Sequence, residues 1–253
     1  MRILILGGTA EARALAQALA GRSEFEAIVS LAGRTAEPLP QAAPVISGGF
    51  GGAEGLARYL RNENIDVLID ATHPFAAAIS ANALKAAGST NVKLLALRRP
   101  PWEKVACDNW IEVESVAQAV QALGETPKRV FVALGRNELQ PFAGAPQHFY
   151  LVRSVDPVDP PLAVPDAVYI AARGPFGEAE DRDLLARHNI EMIVAKNSGG
   201  QATYSKIAAA RALGLPVVML KRPALPDVTS VATVEEVVDF LDHALTLSTA
   251  RGV

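Results

Sequence analysis

The chain has 253 residues, half of them apolar, with 24 Lys and Arg against 27 Asp and Glu for a formal net charge of -3. That is enough chain for one large domain or two small ones, each with its own core, and the slight acidic excess gives no whole-surface attraction for nucleic acid or an anionic membrane. Cys107 is the sole cysteine, which excludes an intrachain disulfide, a cysteine-based zinc site and a redox pair. No apolar run approaches the ~20 residues of a membrane span or the core of a signal peptide. The expectation is a soluble, cytoplasmic, monomeric protein with no nucleic-acid or membrane partner.

The chain opens with a short apolar strand, Ile3 to Leu6, followed by Gly7-Gly8. A helix is predicted from Thr9 to Gly21, because Ala12, Leu15, Ala16 and Leu19 fall at i, i+3, i+4, i+7, and Gly21 suits its end. Phe25 to Leu31 and Pro44 to Ser47 read as strands, Ala53 to Asn62 as a helix and Asp66 to Asp70 as a buried strand. A helix from Phe75 to Ala87 follows, with Pro74 near its first turn, then a strand from Val92 to Leu97. Val116 to Leu123 reads as a helix in which Ser115 and Gln118 have capping-box spacing.

The polar stretch Gly124 to Lys128 precedes a fresh apolar strand, Arg129 to Leu134, and marks the expected domain boundary, giving domains 1–125 and 126–253. Strands are expected at His148 to Val152, Ala167 to Ala171, Glu191 to Ala195 and Pro216 to Leu220, with helices at Glu178 to His188 and Ser205 to Leu213. Asp156 to Pro165 holds four prolines and reads as an extended loop. A closing helix starts at Thr233, whose spacing to Glu236 is that of a capping box. Alternating elements with continuous apolar strands indicate an α/β fold: two Rossmann-like domains with open, mainly parallel sheets covered by helices on both faces, and an active site in the cleft between domains.

Ligands of such sheets gather at the carboxyl ends of the strands, so those residues carry most of the functional signal. Gly7-Gly8-Thr9-Ala10-Glu11-Ala12 permits a tight turn and close approach to a phosphate at a helix N-terminus; the same residues would equally make a glycine turn capped by Thr9. The second strand runs to Ser30 and then Arg34, a hydroxyl and a guanidinium where NAD-binding folds place an acid, which favours NADP unless Arg34 is simply solvated. Gly48 to Gly52 follow the third strand. Thr72 and His73 follow the fourth, where His73 suits either capping or general acid chemistry. Arg98, Arg99, Arg136, Arg153, Arg173 and Lys196 recur at other element ends, and a cleft lined this way suits a polycarboxylate.

Seven motifs in order, GGTAEAR, GGFGGxEGLA, DATHPFA, RPPW, GRxxLxxF, RGPF and KNSGGxxTYSKIxAA, resemble the precorrin-6A reductases of cobalamin biosynthesis across nearly the whole chain. The resemblance implies NADPH-dependent reduction of precorrin-6A to precorrin-6B, with hydride delivered to a ring carbon and a proton to its neighbour, and it implies no metal or flavin. It assigns Gly7, Gly8, Thr9, Glu11, Ala12, Arg13, Ser30, Arg34, Gly49, Phe50, Gly51, Thr72, His73 and Phe75 to the cofactor. The tetrapyrrole falls to Arg136, Arg173, Lys196, Ser198, Gly199, Gly200, Thr203 and Lys206, joined by Arg98 from the basic series. Candidates for the proton donor are His73, Lys196, Tyr204 and ordered water. Two other classes fit parts of the pattern: an NADP-sensing module without turnover, and a methyltransferase using the first glycine loop, against which Arg34 argues.

Overall fold

The computed structural model describes residues 1–33 and 35–250. Arg34 therefore lies outside the described residues. In chain order come β1 (Arg2–Leu6), α1 (Ala10–Leu19), β2 (Glu26–Leu31), β3 (Val45–Ser47), α2 (Gly52–Asn62), β4 (Val67–Asp70), α3 (Ala77–Thr90) and β5 (Lys93–Leu97). Next are β6 (Trp110–Val113), α4 (Val116–Leu123), β7 (Arg129–Ala133), two 3-10 turns (Arg136–Glu138 and Gln140–Gly144), β8 (Phe149–Ser154) and β9 (Ala167–Ala171). The chain finishes with α5 (Glu178–Arg187), β10 (Met192–Lys196), α6 (Ser205–Ala212), β11 (Val217–Leu220), β12 (Ser230–Val231) and α7 (Val234–Ala250).

These strands form two sheets of six, in the orders β12-β5-β4-β1-β2-β3 and β6-β11-β10-β7-β8-β9, with every pairing parallel. The two α/β sheets expected from the alternation are thus present. In the first, Ile3 and Ile5 of β1 join Leu15 and Leu19 of α1 and Val237 and Leu241 of α7 on one face. Leu4 and Leu6 join Leu56 and Leu60 of α2 and Ala83 and Ala86 of α3 on the other. Burial on both faces is why the strand sequence is continuously apolar, each fully buried Ile or Leu being worth about 1.5–3 kcal/mol.

The domain division differs from the expected boundary at 125/126. One compact unit comprises Met1–Pro100 and the chain from Pro223 onward; the other is Pro101–Arg222. The cause is the pairing of two short strands. Val113 of β6 lies beside Leu220 of β11, which draws Pro101 to Leu123 into the second sheet, while Val231 of β12 lies beside Leu97 of β5, which returns the C-terminal segment to the first. The polar Gly124 to Lys128 stretch is a turn inside the second unit. It is held by buried His148, whose Nδ1 accepts from Lys128 N (3.1 Å) and whose Nε2 meets the Gly124 carbonyl (3.1 Å). Burial pushes the His148 pKa down, which keeps Nδ1 an acceptor.

Other boundaries move for local reasons. The helix expected from Phe75 starts at Ala77, because Ala76 N donates to His73 O (2.7 Å) in a turn that contains Pro74. It runs past Gly88 to Thr90 and ends on Asn91 at φ 59°. Thr233 and Glu236 make a full capping box: Glu236 N donates to Thr233 Oγ1 (3.2 Å) and Thr233 N to Glu236 Oε2 (3.0 Å). At Ser115 only the forward half forms, Gln118 Oε1 accepting instead from Glu114 N (2.8 Å).

Candidate functional site

In the first unit the loops at the carboxyl ends of β1, β2, β3 and β4 are joined to one another. Gly7 N donates to Ser30 O at 2.8 Å, so the first turn hangs on the end of β2. A Cβ on Gly7 would stand 3.0 Å from Val29 Cγ1, and Gly8 sits at φ 105°, so neither position tolerates a side chain without strain. Thr9 caps α1 by accepting from Ala12 N (3.0 Å), and its hydroxyl donates to Ala71 O (2.8 Å), which ties the turn to the loop after β4. The capping expected of Thr9 is present, in the tight turn that the two glycines allow.

A Cβ on Gly33 would stand 3.9 Å from the Gly48 backbone, and Gly48 N donates to Leu31 O (2.9 Å), so the loops after β2 and β3 meet. Gly51 and Gly52 adopt φ 77° and 89° at the start of α2. Phe50 is the loop's anchor rather than an exposed face: its ring lies 5.0 Å from that of Tyr59. Its carbonyl is seated where Gly55 has no side chain, since a Cβ there would come within 1.6 Å of Phe50 O. Gly55 was not among the expected site residues, although the EGLA end of its motif carries the signal.

After β4, buried Asp70 accepts from the amide (3.2 Å) and hydroxyl (2.7 Å) of Thr72 and fixes that loop, a role absent from the sequence-based assignment. His73 Nδ1 accepts from Phe75 N (3.3 Å), which puts the proton of a neutral ring on Nε2, and the two rings stand 5.8 Å apart. His73 thus closes a local turn ahead of α3 rather than capping the helix, whose N-cap Ala76 has no side-chain cap bond. Glu11, in the first turn of α1, pairs with Arg99 (2.6 Å), while Arg98 donates to Pro226 O (2.8 Å) and holds the returning C-terminal segment. Arg13 is half-buried in the same turn as Glu11, and Ala12 is buried beneath it.

In the second unit charged side chains stand at several of the strand ends, beside a further glycine turn. Lys196, at the end of β10, pairs with Glu138, whose Oε2 also accepts from Gly135 N (3.2 Å). Arg136 is 4.0 Å from Asp156, and Arg173 is exposed after β9. The Asn197 to Tyr204 loop is stapled by Trp102. Trp102 N donates to Asn197 Oδ1 (2.7 Å), Asn197 Nδ2 to Trp102 O (2.9 Å), and the indole N–H to Gly200 O (2.9 Å). Arg222 adds bonds to the carbonyls of Asn197 (3.0 Å) and Ser198 (3.1 Å). Gly199 and Gly200 turn the chain at φ 65° and 76°. Trp102 and Arg222 lie outside the expected set, and RPPW is the signal for the former.

Not every expected residue faces the loops. The Tyr204 hydroxyl accepts from Arg211 (2.5 Å), itself paired with buried Asp108 (2.8 Å). Lys206 is only 5% exposed, its ammonium directed at Thr203 O and lying 4.9 Å from the centre of the Trp102 ring. Beside it Arg153 and Asp181 form a buried ion pair, and Ser205 Oγ donates to Asp181 (2.5 Å). Burial first and Arg153 second lower the Lys206 pKa to about 7.

A pair of parallel sheets in the 3-2-1-4-5-6 order, with a glycine turn after the first strand, defines a doubly wound α/β protein of dinucleotide-binding topology. The family model for precorrin-6x reductases of the CbiJ/CobK type matches residues 2–242, and the chain belongs to that family. It is therefore an enzyme, an oxidoreductase. It is 54% identical to a precorrin-6A reductase of a Sinorhizobium species, over 96% of this chain and 94% of that one. To the precorrin-6A reductase of Rhodobacter capsulatus it is 49% identical, over 100% and 99%. A solved CobK precorrin-6A reductase superposes with a TM-score of 0.91 at 49% identity, covering 96% of each chain. Among the described residues no helix is long and apolar enough to cross a membrane.

Proposed function

We propose that this chain reduces precorrin-6A to precorrin-6B in cobalamin biosynthesis, taking hydride from NADPH, as a cytoplasmic monomer. The full-length match to precorrin-6A reductases at 54% and 49% identity carries the substrate. The Gly7-Gly8 turn, joined through Thr9 to the loop after β4, supports the cofactor: Gly7 is pressed against Val29 and Gly8 takes φ 105°, a bare, tight backbone that a phosphate can approach. NADPH supplies the hydride when bound. In this reading Gly7, Gly8 and Thr9 form the phosphate turn, Ser30 and Arg34 meet the 2′-phosphate, and the Asp70-fixed loop bearing Thr72 and His73 lies on the nicotinamide side.

The cations of the second unit, Arg136, Arg173 and Lys196, match the many carboxylate arms of the substrate. The Trp102-stapled loop of Ser198, Gly199, Gly200 and Thr203 supplies a fixed backbone beside them. For the proton, the candidates are His73, Lys196, Tyr204 and ordered water; Lys196 is paired with Glu138, and the Tyr204 hydroxyl accepts from Arg211. The test is anaerobic oxidation of NADPH at 340 nm with precorrin-6A, followed by mass analysis of the ring, with NADH as control. A gain of two hydrogens that requires NADPH is expected; NADPH binding without ring reduction would remove the substrate assignment. Arg34→Ala is expected to weaken NADPH about 5- to 150-fold and to leave NADH nearly unchanged, and equal losses would remove the 2′-phosphate assignment.

A further inference from the structure

Glu11 presents a difficulty for a phosphate-binding turn. It follows Gly7-Gly8 in the first turn of α1, and a carboxylate there repels the pyrophosphate that the turn would receive. The structure contains its counter-charge. Arg99 Nη1 lies 2.6 Å from Glu11 Oε2, with the two side chains 15% and 26% exposed. Arg99 stands just past the end of β5 and Glu11 just past β1, and the sheet order places β4 between those strands. The pair therefore spans the end of β4, at the point where strand order reverses and where open α/β sheets bind their ligands.

We propose that Arg99 is a pyrophosphate-side cation of the cofactor site, held in position by Glu11 and cancelling its charge. This rests on the NADPH reading above. The corresponding position in the second unit behaves in a similar way. Arg222 also follows the strand neighbouring the counterpart of β4, and it reaches back to the carbonyls of Asn197 and Ser198 at that strand's end. In the first unit the arginine meets a carboxylate, Glu11, in the helix turn that follows the glycines.

The proposal differs in sign from a simple clasp between α1 and β5. A clasp loses the same pair whichever partner is removed. A cation that neutralises Glu11 does not: without Arg99 the carboxylate is left to repel the pyrophosphate, whereas without Glu11 the guanidinium keeps its positive charge beside it.

NADPH and NADH would be titrated by fluorescence into the full chain and its Arg99→Ala, Arg99→Lys, Glu11→Gln and Arg99→Ala/Glu11→Gln variants, with thermal unfolding measured alongside. Arg99→Ala is expected to weaken both nucleotides alike, by about 10- to 100-fold, the worth of a hydrogen bond to a charged group. Glu11→Gln is expected to cost no more than about 5-fold, the scale of a partly exposed ion pair. The double variant is expected to bind more tightly than Arg99→Ala alone. Equal losses in the two single variants, with no rescue in the double, would overturn the proposal. Should Arg99→Ala not fold, Arg99→Gln, alone and combined with Glu11→Gln, takes its place, and the same outcomes decide. Failure of the unaltered chain to bind either nucleotide would instead remove the cofactor reading and this inference with it.

Discussion

The two units have the same strand order and differ in the residues after their first three strands. Each builds its first five strands from its own stretch of chain and receives its sixth, β12 or β6, from the segment that leaves the other unit's fifth strand. The departures are alike in sequence, Leu97-Arg98-Arg99-Pro100 after β5 and Leu220-Lys221-Arg222-Pro223 after β11. So are the arrivals: Val113, Ser115, Val116, Gln118 and Leu123 match Val231, Thr233, Val234, Glu236 and Leu241, with Ser115 and Thr233 each capping the helix that follows. Yet the first unit has glycine turns after β1, β2 and β3, whereas the second has Arg136 and Lys196 at the ends of β7 and β10 and a buried cluster of Arg153 from β8, Asp181 from α5 and Lys206 from α6. One architecture thus carries glycine-built turns in one unit and more side-chain charge in the other.

The comparison breaks most readily at the buried cluster. Asp181→Asn would leave Arg153 and Lys206 as two buried cations without a carboxylate, at an expected cost of about 3–5 kcal/mol in urea unfolding. An effect below 1 kcal/mol would mean the cluster is not what holds α5 and α6 to β8. The second test is pH. With a folded pKa of about 7 against an ordinary 10.5, Lys206 binds fewer protons folded than unfolded between those values. Its burial penalty is therefore complete below about pH 7 and is relieved as pH rises toward 10. Stability should climb across that window, and Lys206→Met should flatten the climb; an unchanged slope would show that another group is responsible. The smallest effect is expected in the first unit. Gly55→Ala places a Cβ against Phe50 O and should cost about 1–3 kcal/mol and weaken nucleotide binding, with the Trp102-stapled loop of the second unit unaffected.

Much of this was legible before any coordinates. Ala12, Leu15, Ala16 and Leu19 were the expected buried face of α1 and are its buried residues. The expected helix over 116–123 is α4 with the same ends, and the proline-rich stretch from 156 to 165 contains no helix or strand. The glycine turns were legible because a positive φ leaves a mark in composition. Less legible were positions whose role is to hold another residue: Asp70 for Thr72, Gly55 for Phe50, Trp102 for Asn197 and Gly200. Their partners lie on other elements or depend on a backbone path that periodicity does not specify.

By itself the sequence determined the alternation of strands and helices, the burial of both sheet faces, and the residue types at each strand end, because these depend on local periodicity and on backbone preferences of single residues. Only the tertiary structure decided which sheet received the short strands β6 and β12, which moved the division of the chain from 125/126 to Pro100 and Arg222. A strand of two to four residues has too little pattern to choose a partner locally; its unpaired N–H and C=O groups are satisfied by whichever edge the fold presents. The same reason separates Lys196, at a strand end, from Lys206, buried against Trp102: both are lysines in one motif, and only packing distinguishes them.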